Sequence, residues 1–191
     1  MSQLRLVFET NKNILPEVKL TPEFILRPLK KEELKEYSDL RLSAGFNEWQ
    51  EADYNDYIKR VLPDGLLVIE EVATGRLAAS AGAEHTPNEK LQNFGTLGWV
   101  MCHPDFRGKR LGYMVCAEVM HKLFQNGYRS FTLLTDDVRI PAIKTYLNLG
   151  WKPWLYEPDM EERWQKIAGE LGVSFESLGA LPEQITVPAK L

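Results

Sequence analysis

The stretch HPDFRGKRLGYMV, residues 103–115, sets three cationic side chains, Arg107, Lys109 and Arg110, and two glycines, Gly108 and Gly112, within six positions. An apolar run follows at once. In LGYMVCAEVMHKLFQNGY, Leu111, Met114, Val115, Val119 and Leu123 share one face and Gly127 ends the pattern, which predicts an amphipathic helix. Upstream, GTLGWVMCH (95–103) reads as a strand. The local order is strand, cationic turn, helix. A helix start exposes unpaired backbone N–H groups and the positive end of the helix dipole, so this junction predicts an anion site. Its glycines fit neither G-x-x-x-x-G-K-[ST] nor G-x-G-x-x-G, which places a nucleoside triphosphate or a dinucleotide behind other anions.

Working outward, FILRPL (24–29) reads as a short strand and KKEELKEYSDLRLSAG (30–45) as an amphipathic helix, with a second helix over about 50–61. GLLVIEEVATGRLAASAGAEH (65–85) holds two strands joined at Ala73, Thr74 and Gly75. Beyond the basic turn, SFTLLT (130–135) is a buried strand and IPAIKTYLNLG (140–150) a helix with Pro141 in its first turn; WKPWLY (151–156) is a last strand. The order β-α-α-β-β-β-α-β-α-β mixes hairpins with one strand-helix-strand unit, so the expected class is α+β with a mixed, mostly antiparallel sheet flanked by helices. Residues 1–22 read as an N-terminal extension, 23–157 as the domain, and 158–191 as a C-terminal helix and tail packed on it. The helix, with Trp164 and Ile167 on its apolar side, offers a surface for a homodimer.

A chain of 191 residues with 26% charged side chains and net charge −4 lacks the basic surplus of a nucleic-acid binder, so a single basic turn points to a small anionic ligand. Cys102 and Cys116 form neither a metal-ligand spacing nor a disulfide framework. Lacking also a long apolar span and a signal-like start, the chain reads as cytoplasmic, with no membrane partner and no metal.

The segment VMCHPDFRGKRLG (100–112) resembles the acetyl-CoA pyrophosphate-binding segment of the GNAT superfamily of N-acyltransferases, whose pattern is [QR]-x-x-G-x-[GA]. PAIKTYLNLGW is similar to that family's later helix, with Ala142, Tyr146, Gly150 and Trp151 at the recurring places. Two positions depart: Arg110 stands where glycine is usual and Arg139 where asparagine is usual. The resemblance implies a GNAT-like fold and acetyl-CoA as co-substrate, gripped by Val100, Cys102, Arg107, Gly108, Lys109, Arg110, Leu111, Gly112, Tyr113 and Arg139. It implies an N-acetyltransferase acting on a primary amine of a small molecule by direct attack, with Tyr146 protonating the leaving thiolate. A non-catalytic acyl-CoA-binding or sensor domain is the alternative, argued from Arg110 and from Thr96, which occupies the strand position where some members carry a catalytic glutamate.

For the base, the remaining candidates are Glu84, His85, Asp136 and Asp137, with Glu84 first. Cys102 is not expected to be a nucleophile, because no His–Asp pair accompanies it. The acidic, aromatic segment GFNEWQEADYNDY (45–57) supplies Glu48, Trp49 and Tyr54 as candidate acceptor contacts. The same pattern also suits a helix start whose aromatics pack inward.

Overall fold

The computed structural model describes residues 2–86, 91 and 93–182. Among these, seven strands form one sheet: β1 (Leu4–Glu9), β2 (Phe24–Pro28), β3 (Val61–Glu71), β4 (Leu77–His85), β5 (Phe94–Cys102), β6 (Ser130–Thr135) and β7 (Lys152–Pro153). Its order is β2-β3-β4-β5-β6-β1-β7, antiparallel at every pairing except β5 with β6. The helices are α1 (Leu34–Ser43), α2 (Glu51–Ile58), α3 (Leu111–Gln125), α4 (Ile140–Asn148) and α5 (Met160–Leu171). The class is α+β, as the element order requires. No described helix is long and apolar enough to cross a membrane.

Both faces of the sheet are covered, and β3 divides its side chains between them with the period of two that a pleated strand imposes. Leu67 and Ile69 join the core with α3, α4 and α5; Leu66 and Val68 join a second core with Tyr37 and Leu40 of α1 and Tyr54 and Tyr57 of α2. On β4, Ala78, Ala79, Ala81 and Ala83 are fully buried. Their small side chains let α3 lie directly on the middle of the sheet.

The N-terminal extension is corrected by the structure. Residues 4–9 form β1, which is inserted between β6 and β7, with Leu4 opposite Thr135 and Leu6 opposite Pro153. LRLVFE is buried along nearly its whole length, and six residues suffice once both neighbours satisfy its backbone. The C-terminal helix α5 forms as expected, but Trp164 is 0% and Ile167 3% exposed because both pack into the chain's own core. That apolar side is therefore not available to a second copy. Residues 183–191 of the expected tail lie outside the described residues.

The feature that builds a site is the parting of β5 and β6. Their parallel pairing runs only from Phe94–Ser130 to Thr96–Thr132. Beyond Thr96, β5 continues to Cys102 beside β4, while β6 follows β1. A register shift between Ser80 and Gly82 marks a bulge in the β4–β5 ladder, and Trp99 sits there at φ 47, a left-handed backbone rarely adopted by a bulky residue. The bulge bends β5 and opens a notch.

Candidate active site

The notch leads into a cleft of about 760 Å³ between the end of β5, the start of α3 and α4. Of the ten residues expected to hold the cofactor, nine line it: Val100, Cys102, Arg107, Gly108, Arg110, Leu111, Gly112, Tyr113 and Arg139. Lys109 does not. Its ammonium lies 5.2 Å from the centre of the Phe24 ring, on the other side of the turn. At the mouth of α3 the first bond of the helix runs from Met114 N–H to Arg110 O at 3.1 Å, so the N–H groups of residues 111–113 have no acceptor within the helix. Gly108, at φ 81, and Gly112 have open space where a side chain would project. The Gly112 N–H is engaged by the Cys102 sulfur, which leaves those of Leu111 and Tyr113 without a partner among the described residues, so an oxyanion fits the junction on two counts, open donors and room above them.

Arg110 occupies the N-cap of α3 at φ 60 and ψ 17, which is the conformation a glycine would favour there. The backbone is thus kept in its glycine-like form by a residue with a Cβ, and the guanidinium folds over the Tyr113 ring at 4.7 Å. The Cys102 thiol is pushed up by burial, with Arg107 opposing, and stays a thiol at neutral pH. Asp105 N–H donates to His103 Nδ1 at 3.2 Å, and His121 Nε2 lies 2.9 Å from Pro16 O; both imidazoles have structural partners.

A second cleft, of about 360 Å³, lies toward β6 and β1. Phe46, Val100, Arg139, Ala142 and Tyr146 line both clefts and form the wall at which they meet. Tyr146 is 5% exposed, and its hydroxyl makes no hydrogen bond with any described residue. Burial raises its pKa far above the ordinary phenol value, so it carries its proton at any working pH.

Glu84 lines the second cleft from β4 and is itself 4% exposed. The Tyr57 hydroxyl donates to Oε1 at 2.9 Å, and Arg60 Nε stands 2.9 Å from Oε2 as an ion pair without hydrogen-bond geometry. Burial raises the Glu84 pKa, and the Tyr57 hydrogen bond and the Arg60 charge only partly offset it. The carboxylate crosses over β5: a Cβ added at Gly98 would meet Glu84 Oε1 at 1.6 Å. Glu84 therefore occupies the space above the strand that lacks its own acid, since Thr96 instead places its hydroxyl 2.8 Å from that of Thr86.

The other candidates separate. Asp136 lines the second cleft and pairs with Arg139 at 3.2 Å, while Asp137 is held by Arg163 at 2.5 and 2.9 Å in a clip to α5. His85 Nδ1 lies 2.6 Å from the Tyr128 hydroxyl. Glu48, Trp49 and Tyr54, the expected acceptor contacts, line neither of these two clefts. Glu48 is exposed and Tyr54 is buried in the α2 core. Trp49 stacks on the buried Arg41 at 3.7 Å, with Trp99 at 4.3 Å on the same guanidinium. A buried cation without an acid partner draws aromatic faces to itself, and one face of Trp49 is committed to Arg41. Phe46, four residues before Gln50, is the aromatic of that segment that reaches the clefts. Arg60 and Arg5 join the site unanticipated, and Tyr57, the last aromatic of that segment, enters it through its bond to Glu84. For Tyr57, Gly82 was the available signal, because an isolated strand glycine marks a close approach.

The acetyltransferase (GNAT) family model matches residues 29–151. None of the curated proteins matches the sequence. Among solved structures, the GCN5-related N-acetyltransferase from Sphaerobacter thermophilus is similar with a TM-score of 0.64 and 14% identity over 80% of this chain and 49% of that one. The chain thus spans about half the length of that protein. The ribosomal-protein-S18-alanine N-acetyltransferase from Escherichia coli gives 0.55 and 20% over 66% and 76% of the two chains. A GCN5-related N-acetyltransferase from Kribbella flavida gives 0.54 and 18% over 80% and 55%. At these identities the likeness concerns the fold.

Proposed function

The chain belongs to the acetyltransferase (GNAT) family, and from that premise we propose that it moves an acetyl group from acetyl-CoA to the primary amine of a small molecule by direct attack. The observation that carries this reading is Tyr146: a largely buried tyrosine on the wall between two clefts, whose protonated hydroxyl makes no hydrogen bond with any described residue. One cleft suits the donor. Arg107 and the N–H groups at the start of α3 hold its pyrophosphate, while the unpaired edge of β5 at Val100 and Cys102 orients the thioester and donates to the oxygen that gains charge.

The second cleft takes the amine. Glu84 accepts the proton that the nitrogen loses as the N–C bond forms, directly or through a water. The C–S bond breaks, and the departing thiolate takes the Tyr146 proton. Cys102, a neutral thiol, has no covalent role. Because its pKa is raised, Glu84 becomes a base only above the ordinary glutamate value near 4.5, so the acidic limb of kcat/KM lies above that pH. The left-handed Arg110 removes the main argument for a non-catalytic domain, since the loop keeps the backbone form in which glycine is usual. Two unpaired cysteines accord with a cytoplasmic setting.

The test is calorimetric titration with acetyl-CoA followed by release of free CoA in the presence of an amine panel. Binding that weakens markedly in Arg107→Ala is expected, with Tyr146→Phe lowering kcat by about 100-fold or more while the acetyl-CoA Kd is little changed. No acetyl-CoA binding would sink the donor site. Unchanged turnover in Tyr146→Phe would remove that residue from the mechanism.

A further inference from the structure

The second cleft is lined by three arginines, Arg5, Arg60 and Arg139, against two carboxylates, Glu84 and Asp136. Each acid is already matched: Glu84 with Arg60 and Asp136 with Arg139. Among the described residues Arg5 has no carboxylate within ion-pair distance. It lies on β1 opposite Leu134 of β6, and both residues line the cleft.

Arg5 is nevertheless held still. Its guanidinium lies 5.9 Å from the Trp154 ring centre and 5.5 Å from that of Tyr156, and Nη1 donates to Thr132 Oγ1 at 3.3 Å. Thr132 is fixed in turn by donating to Leu6 O at 3.2 Å. Guanidinium has five N–H donors in a planar fork, and this one commits a single donor to the protein. Burial lowers its pKa, the sign of a cation stripped of part of its water with no acid to compensate. Two rings and a hydroxyl thus orient a cationic fork that faces a cleft with one excess positive charge. A polycationic acceptor meets repulsion there, and an oxyanion meets a prepared partner.

We propose that the acceptor amine carries an oxyanion, a carboxylate or a phosphate, and that Arg5 binds it. The inference rests on reading the second cleft as the acceptor site. The amine end of such a molecule lies toward Glu84 and Tyr146, which line the same cleft. Arg5 then selects substrates without touching the reacting atoms.

The experiment is equilibrium titration of the protein, free and saturated with CoA, with glycine, β-alanine and 4-aminobutyrate, each beside its amide, and with 2-aminoethyl phosphate as a separate arm. At least one carboxylate, or the phosphate, is expected to bind about tenfold or more tightly than the matching uncharged compound. In Arg5→Gln that ratio should fall to near one, and in Arg5→Lys, which keeps charge but loses the fork, to an intermediate value. Thermal unfolding of each variant establishes that it is folded. The carboxylate and phosphate arms tell which oxyanion is meant. Equal binding of every pair by the natural protein, or a preference surviving intact in Arg5→Gln, overturns the proposal and leaves Arg5 as a packing residue for Trp154 and Tyr156. Because acetyl-CoA binding is read separately, loss of the donor site and loss of the Arg5 subsite are distinguishable.

Discussion

Arg110 is held at φ 60 where a Cβ crowds the following carbonyl, and its return is the contact of its guanidinium with Tyr113. Replacing it with alanine keeps the crowding and removes the contact; replacing it with glycine removes both. Arg110→Gly is therefore expected to be more stable than Arg110→Ala by about 1 kcal/mol in denaturant unfolding, even though glycine costs more chain entropy. Equal stabilities would mean that the turn is not strained. The sequence marked this residue as a departure from the GNAT pattern, yet which backbone form it takes depends on what packs around the turn. Lys109 makes the same point from the other side: three cations in four positions read as one cluster, but a tight turn sends neighbouring side chains apart, and Lys109 ends over Phe24.

At the scale of elements, β4 and β5 act as a pair. The acid comes from β4, and β5 supplies a vacancy for it at Gly98; Gly82 makes a matching vacancy for the Tyr57 hydroxyl, which a Cβ there would meet at 1.9 Å. Gly98→Ala should displace Glu84 and lower kcat by about 100-fold, the same effect expected of Glu84→Gln, with little effect on acetyl-CoA affinity. CoA-release kinetics beside calorimetry would check this, and full activity in Gly98→Ala would show that Glu84 is not the base. Helices α3 and α4 were legible, since Leu111, Gly127, Pro141 and Gly150 punctuate them, and the β3–β4 turn at 73–75 was legible from its polar break. The route by which β4 could replace a missing acid on β5 was not, because it depends on the cross-strand register of Glu84 with Thr96. Nor could helix periodicity tell that Trp49 faces Arg41.

For the whole molecule, Arg163 of α5 ties distant parts together. It bonds Asp137 beyond β6, Asp159 at 3.2 Å and the Ser2 carbonyl at 3.0 Å, so one side chain joins α5 and the segment before β1 to the site loop. The Arg163 guanidinium holds the Asp137 carboxyl below its ordinary value near 3.8. Because the folded value is depressed, this contribution is present in full above pH 3.8 and is lost as pH falls through the lower folded value. Asp137→Asn should thus destabilise the fold by about 1 kcal/mol at neutral pH, a modest figure because the carboxylate is partly exposed, and the difference should vanish in strong acid. Urea unfolding across that range would measure it; a difference independent of pH would rule out the ion pair. The class and the strand-helix order were readable from periodicity, but the place of the first strand was not, because six residues before a polar segment carry no mark of what they pair with.

That placement governs the order of assembly. A backbone carbonyl on β1 meets a β6 hydroxyl 126 residues away, and β7 flanks β1 from further along still. As the chain is made, β1 stays an unpaired edge until β6 and β7, well over a hundred residues later, have been synthesised. Because β1 and β6 both line the second cleft, that wall of the candidate site is unfinished in the nascent protein until these two strands meet.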